Sequence, residues 1–172
     1  MKAFITAFLL ILFSSQIIYS TGEQRLLSEP DPDIYKDKIV FTYENDLWLV
    51  SSNGGTATRL TSFPGNEFSA KFSPDGKSIA FTAGYDGTYS VYVMPSEGGE
   101  PVRITYTPST AQSIAWTPDG KRIVFRSYWE NYISRDPNLY FVNKEGSAPE
   151  KLPIDRGTLC SFNSDGSKML YN

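Results

Sequence analysis

The tetrapeptide Ser73-Pro74-Asp75-Gly76 returns as Thr117-Pro118-Asp119-Gly120 and, in weaker form, as Asn163-Ser164-Asp165-Gly166. The steps from Gly76 to Gly120 and from Gly120 to Gly166 are 44 and 46 residues. Each copy follows a segment holding a large aromatic (Phe72, Trp116 or Phe162). Each precedes an apolar run: Ile79-Ala80-Phe81, Ile123-Val124-Phe125 or Met169-Leu170-Tyr171. Self-similarity at a period of roughly 40–50 residues, with only strands and turns between the marks, is the signature of β-propeller blades. The expected fold is therefore all-β. It is an incomplete β-propeller of about three four-stranded antiparallel blades plus the start of a fourth, because three blades and a fragment do not close a ring.

Within the central unit the pattern predicts strands over 69–73, 78–83, 90–94 and 101–106. Proline after Ser or Thr pre-sets the backbone for a type I turn, and a closing glycine tolerates the left-handed conformation. On that reading Pro74, Asp75, Gly76, Pro118, Asp119, Gly120, Asp165 and Gly166 are structural turn residues. A second turn recurs as Asn53-Gly54-Gly55, Glu97-Gly98-Gly99 and Glu145-Gly146-Ser147. The equivalent runs Leu47-Trp48-Leu49-Val50, Val91-Tyr92-Val93-Met94 and Leu139-Tyr140-Phe141-Val142 are apolar at successive positions. A strand reads that way when both its faces are covered, as an inner strand is between two blades. The outermost strands carry Arg59, Arg103 and Lys151, which read as solvated positions blunting a sheet edge, in preference to an anion site. The matching aromatics Phe72, Trp116 and Phe162 read as inter-blade core. The resulting division is a signal peptide over 1–22, a leading segment over 23–37 and a partial propeller over 38–172. Its units fall at about 38–76, 77–120 and 121–166, with the next starting at 167–172.

Several function classes are excluded by composition. The net charge is −3, so no sequence-wide basic field attracts nucleic acid or an anionic membrane. Histidine is absent and Cys160 is the sole cysteine. That removes the commonest general base, any Ser-His-Asp or Cys-His arrangement, an internal disulfide and a thiolate metal cluster. No Gly-x-Ser-x-Gly elbow, phosphate-binding loop or zinc-ligand spacing occurs. The repeated Asp75, Asp119 and Asp165 lack the further carboxylates of a calcium loop. No catalytic residue, metal or cofactor is expected within this chain. Cys160 reads as a small buried hydrophobe.

At the N-terminus, Lys2 precedes an apolar stretch from Ala3 to Phe13, and small residues follow at Ser20 and Gly22. This pattern predicts a cleaved secretory signal helix, and with it a periplasmic or secreted protein whose only membrane contact is that signal. A retained anchor needs a longer uninterrupted span than Ser14-Ser15-Gln16 leaves.

One segment breaks the repeat. Where the first two units have short links at Glu44-Asn45-Asp46 and Gly84-Tyr85-Asp86-Gly87, the third inserts Tyr128 to Asp136. Insertions in repeat proteins map to loops on one face, often a contact face. Tyr128, Trp129 and Tyr132 are the binding candidates; they either dock a peptide or another domain, or fold down over their own blade.

The stretch Leu26-Leu27-Ser28-Glu29-Pro30-Asp31-Pro32-Asp33-Ile34, followed by Asp37-Lys38-Ile39-Val40-Phe41 and Asp46-Leu47-Trp48, resembles the opening of the tricorn protease family. Pro32-Asp33-Ile34 is the matching triplet, and Lys36 stands in the usual glycine's place before Asp37. The likeness continues through Gly54-Gly55, Arg59-Leu60-Thr61, Phe72 to Gly76, Tyr85-Asp86-Gly87 and Gly98-Gly99-Glu100-Pro101. It implies a chain whose parent carries two propellers, a PDZ-containing region and a serine-peptidase core. The propellers of such a parent guide peptide substrate and dock its other domains, and the whole can form a homo-oligomer. None of the family's catalytic positions falls in this chain. Two rival readings stay open: a TolB-type periplasmic protein-binding propeller, and the propeller of another hydrolase of prolyl-oligopeptidase or amidohydrolase type. TolB-type and peptidase-associated propellers share the blade repeat.

Overall fold

The computed structural model describes residues 31–130 and 136–172. The signal helix expected over 1–22 and most of the leading segment lie outside the described residues, as does Tyr132. Among the described residues, fourteen strands form three four-stranded antiparallel sheets and one hairpin. The first sheet contains β1 (Asp33–Tyr35), β2 (Lys38–Tyr43), β3 (Asp46–Ser51) and β4 (Thr58–Arg59). The second contains β5 (Glu67–Phe72), β6 (Ser78–Ala83), β7 (Ser90–Pro95) and β8 (Val102–Arg103). The third contains β9 (Ala111–Trp116), β10 (Arg122–Ser127), β11 (Asn138–Asn143) and β12 (Glu150–Lys151). The hairpin pairs β13 (Cys160–Phe162) with β14 (Met169–Tyr171). In every sheet spatial order equals chain order, so each is an up-and-down meander, the blade of a propeller.

Two details differ from the sequence reading. The leading segment over 23–37 already contributes to the propeller, which the sequence reading begins at 38, because Asp33–Tyr35 pairs with Lys38–Val40 as the innermost strand of the first blade. A two-residue turn at Lys36-Asp37 joins them, with Lys36 at φ 54, the left-handed value that glycine would reach without strain. The blades are also phased differently from the units 38–76, 77–120 and 121–166. Those units are cut at the Pro-Asp-Gly turns, which lie inside the β5–β6, β9–β10 and β13–β14 hairpins. A repeat can be cut anywhere in its period; hydrogen bonding decides which strands share a sheet.

Blades stack face to face, and the core is the space between them. Val40 and Leu47 of the first blade pack with Phe72, Ile79, Phe81 and Met94 of the second. Ala80, Val91 and Ile104 of the second pack with Trp116, Ile123 and Phe125 of the third. Ile114, Val124 and Leu139 of the third meet Cys160, Phe162 and Met169 of the hairpin. Flanking explains the burial of the apolar runs. In β7 and β11, Val91, Tyr92, Met94, Leu139, Tyr140 and Val142 are all buried, whereas Trp48, Leu49 and Val50 of β3 are only half-buried. Among the described residues, blade 1 is covered on one face only.

Each inner strand also hooks onto the blade before it. The Glu67, Ala111 and Gly157 amides donate to the Asn45, Tyr89 and Pro137 carbonyls at 2.9, 2.9 and 3.2 Å. The Trp116 indole N–H crosses from blade 3 to the Lys71 carbonyl at 2.9 Å. Phe72 and Trp116 are each 7% exposed, and Phe162 is partly buried, so the three repeated aromatics do occupy matching inter-blade positions.

Candidate functional site

Strand direction sorts the connections onto two faces. The Pro-Asp-Gly turns and the Gly-rich turns lie on one. The β2–β3, β6–β7 and β10–β11 links lie on the other, together with the connections between blades.

The turn face is self-satisfied. In the β5–β6 turn the Gly76 amide donates to the Ser73 carbonyl at 2.8 Å, and Asp75 accepts from the Ser73 hydroxyl at 2.7 Å and the Lys77 amide at 3.1 Å. Thr117, Asp119 and Gly120 repeat this set at 2.8, 2.6 and 3.1 Å. In the third copy Asp165 accepts from the Ser167 amide at 2.8 Å, and Asn163 replaces the hydroxyl residue. Hydrogen bonding holds the Asp75, Asp119 and Asp165 carboxyls below their ordinary range, the largest cause being the side-chain hydroxyl of Ser73, of Thr117 and, in the third copy, of Ser167. The carboxylates are spent on turn geometry. The prolines belong to the stacking: Gly120 lies against Pro74, and Gly166 against Pro118.

The loop face is aromatic. Phe63 and Tyr85 have ring centroids 5.3 Å apart, Phe68 and Tyr89 5.1 Å, and Tyr85 and Tyr92 4.8 Å. In the inserted loop the two described candidates part company. Trp129 turns down: its ring is 5.5 Å from Tyr140, and its carbonyl accepts from the Tyr140 hydroxyl at 2.5 Å. Tyr128 points out, 51% exposed.

The outer-strand arginines are tied down. Arg59 donates to Asp46 at 2.6 Å and to the Thr61 carbonyl at 2.8 Å. Arg103 reaches Asp86 at 3.3 Å and the Thr105 carbonyl at 2.8 Å. Each basic side chain thus fastens an outer strand to an acid at the loop end of its own blade, which the edge-strand reading did not foresee.

Along the inner strands runs a cleft of about 530 Å³, walled by Asp33, Tyr35, Lys71, Trp116 and Phe162. A second, of about 330 Å³, opens at the loop face between Asp31, Asn45, Asn66, Phe68 and Gln112. The polar groups of this inner wall are cross-linked: Lys71 pairs with Asp31 at 3.1 Å, and Arg126 grips the Gln112 side-chain carbonyl at 2.9 and 2.7 Å. The Gln112 amide reaches Ser69 at 2.9 Å. No group of three or more acids or cysteines able to hold a metal occurs among the described residues. Burial pushes the Cys160 thiol up to about 11, so it stays protonated at neutral pH.

Glu67 is the residue that pattern reading passes over. It is 1% exposed, and no cation lies among its hydrogen-bond partners. Counting five residues back from Phe72, Trp116 and Phe162 would have shown it, since the equivalents are Ala111 and Gly157.

A model of the tricorn protease N-terminal β-propeller domain matches residues 24–172. The "Putative Tricorn-like protease N-terminal subunit" of Sulfurisphaera tokodaii is 41% identical over 51 residues, which is 30% of this chain and 26% of that protein. The crystal structure of the tricorn protease superposes with a TM-score of 0.68 at 27% identity, over 77% of this chain and 14% of that one. TolB from Acinetobacter baumannii gives 0.62 at 26%, over 81% and 36%. The chain thus spans about a quarter of its tricorn-like relative and far less of the tricorn protease. With the fold, the blade order and this match in agreement, the chain belongs to the family of tricorn protease N-terminal β-propeller domains.

Proposed function

We propose that this chain is the N-terminal propeller part of an exported tricorn-like serine protease, non-catalytic in itself, which guides peptide substrate and docks the remaining domains. The observation carrying the reading is the family match over 24–172, joined to a chain without histidine. A Ser-His machinery must then come from elsewhere in the parent. The inner-strand clefts offer a route for extended peptide, and Tyr128 offers an exposed aromatic on the loop face for a docking partner. Export rests on the Lys2 and Ala3–Phe13 pattern.

The test uses fluorescently labelled, unstructured peptides with the purified chain. Anisotropy is expected to rise on binding, with no cleavage products by mass spectrometry. Robust cleavage by the pure chain sinks the non-catalytic assignment, and absence of binding sinks the guiding role. The 26% identity to a TolB structure favours a second reading, a protein-binding propeller with no enzyme attached. The full reading frame separates the two: a second propeller and a PDZ segment support the protease, and a stop after the remaining blades supports the binding module.

A further inference from the structure

The three equivalent inner-strand positions that hook onto the preceding blade hold Glu67, Ala111 and Gly157. Small residues suffice at two of the junctions. At the first, a carboxyl is buried where its repeats have a methyl group or nothing. Its donors come from two blades. One oxygen engages the Thr61 hydroxyl and the Leu47 amide, the latter at 3.2 Å, both from blade 1. The other accepts from the Tyr85 hydroxyl at 2.5 Å, in the β6–β7 loop of blade 2. Tyr85 in turn packs at a tilt against Phe63 and Tyr92, while its neighbour Asp86 meets Arg103 and the Tyr92 hydroxyl. The Tyr85 end of the β6–β7 loop is therefore tied to blade 1 by a hydrogen bond to the Glu67 carboxyl, with Phe63 packed beside it.

We propose that Glu67 is a pH-sensitive latch, closed while its carboxyl is protonated, which holds the Tyr85 loop of blade 2 against blade 1 on the loop face. The groups facing it offer no positive charge to stabilise the ionised form. Asp46 on β3 is anionic and committed to Arg59 on β4, Tyr85 is neutral, and Asp31 across the adjoining cleft is committed to Lys71. A buried carboxylate held only by neutral donors is costly, whereas the carboxylic acid keeps the same partners with its proton given to the Thr61 oxygen. Burial raises the Glu67 carboxyl above its ordinary range, more than the Thr61, Tyr85 and Leu47 bonds lower it. Opening the loop returns the carboxyl to water and to its ordinary value. The closed state thus binds the proton more tightly, so closure is strongest at low pH and weakens as pH rises through the closed-state titration.

The experiment follows the Glu67 side-chain carboxyl by carbon NMR in the full chain. It also follows hydrogen exchange at the Leu47 amide and the 84–89 segment, corrected for the intrinsic pH dependence of exchange. Glu67 is expected to titrate above the exposed glutamates. Across that titration the opening constant of the loop should rise by up to about tenfold per pH unit and then level off. Glu67→Gln keeps an acceptor for Tyr85 and a donor for Thr61, so it should leave the loop closed and its opening flat with pH. Tyr85→Phe deletes the bond that ties the loop to the carboxyl, so opening of the 84–89 segment should rise and the Glu67 titration should move toward that of the exposed glutamates. A Glu67 that titrates with the exposed glutamates overturns the proposal. So does a pH-dependent opening that persists unchanged in Glu67→Gln.

Discussion

Replacing Trp116 tests the stacking of blades at a single side chain. The indole is 7% exposed, packs among Ile123, Phe125 and Ala80, and donates its N–H to the Lys71 carbonyl of the neighbouring blade at 2.9 Å. Trp116→Ala removes the ring and leaves a cavity between two sheets, which costs about 3–5 kcal/mol. Trp116→Phe should be much milder, because the same architecture already seats Phe72 and Phe162 at the equivalent positions. It forfeits the N–H bond, worth about 0.5–1.5 kcal/mol net. The Lys71 carbonyl left behind sits on the wall of an open cleft, where water replaces the lost donor, so the low end of that range applies. Urea unfolding followed by far-ultraviolet circular dichroism measures both differences. A loss below about 1 kcal/mol for Trp116→Ala would show that the aromatic is not inter-blade core. Equal losses for Phe and Ala would place the stabilisation in the hydrogen bond, contrary to the packing argument.

Gly76→Ala should lower the melting temperature far more than Gly87→Ala. Both glycines have positive φ, 70° and 87°, but a Cβ at Gly76 would lie 2.0 Å from the Tyr35 ring while that at Gly87 meets nothing. Similar shifts in thermal melts would refute the Tyr35 contact. Because the folded Asp75, Asp119 and Asp165 carboxyls titrate lower than in the unfolded chain, their stabilisation is present above the unfolded value and disappears as pH falls through the folded one. Asp119→Asn should flatten the acid limb of a stability–pH curve; an unchanged limb would contradict the turn assignment. Exposed apolar side chains on the flanking blades, Ile34 at 60%, Leu170 at 78% and Tyr171 at 48%, predict concentration-dependent self-association in sedimentation. A monodisperse monomer across the concentration range would count against it.

The inserted loop and the leading segment show where local pattern stops informing. Composition marks Tyr128 and Trp129 as candidates alike, yet Trp129 is drawn onto Tyr140, a residue eleven positions later on the facing strand. Asp33 looks like part of a linker until its carboxylate is seen accepting from the Phe72 amide at 2.7 Å, 39 residues away. Arg59 and Arg103 look like plain edge charges until the acids they meet are known.

By itself the amino-acid order determined the blade period, the Pro-Asp-Gly corners, the strands and the matching aromatics. Each of these depends on backbone preference and on apolar spacing within a few residues. Only the tertiary structure decided that Asp33–Tyr35 joins the first sheet, which aromatic turns inward and that Glu67 is buried between two blades. Those outcomes depend on partners tens of residues distant, brought close by stacking, and the chemistry of a carboxyl is set by what surrounds it.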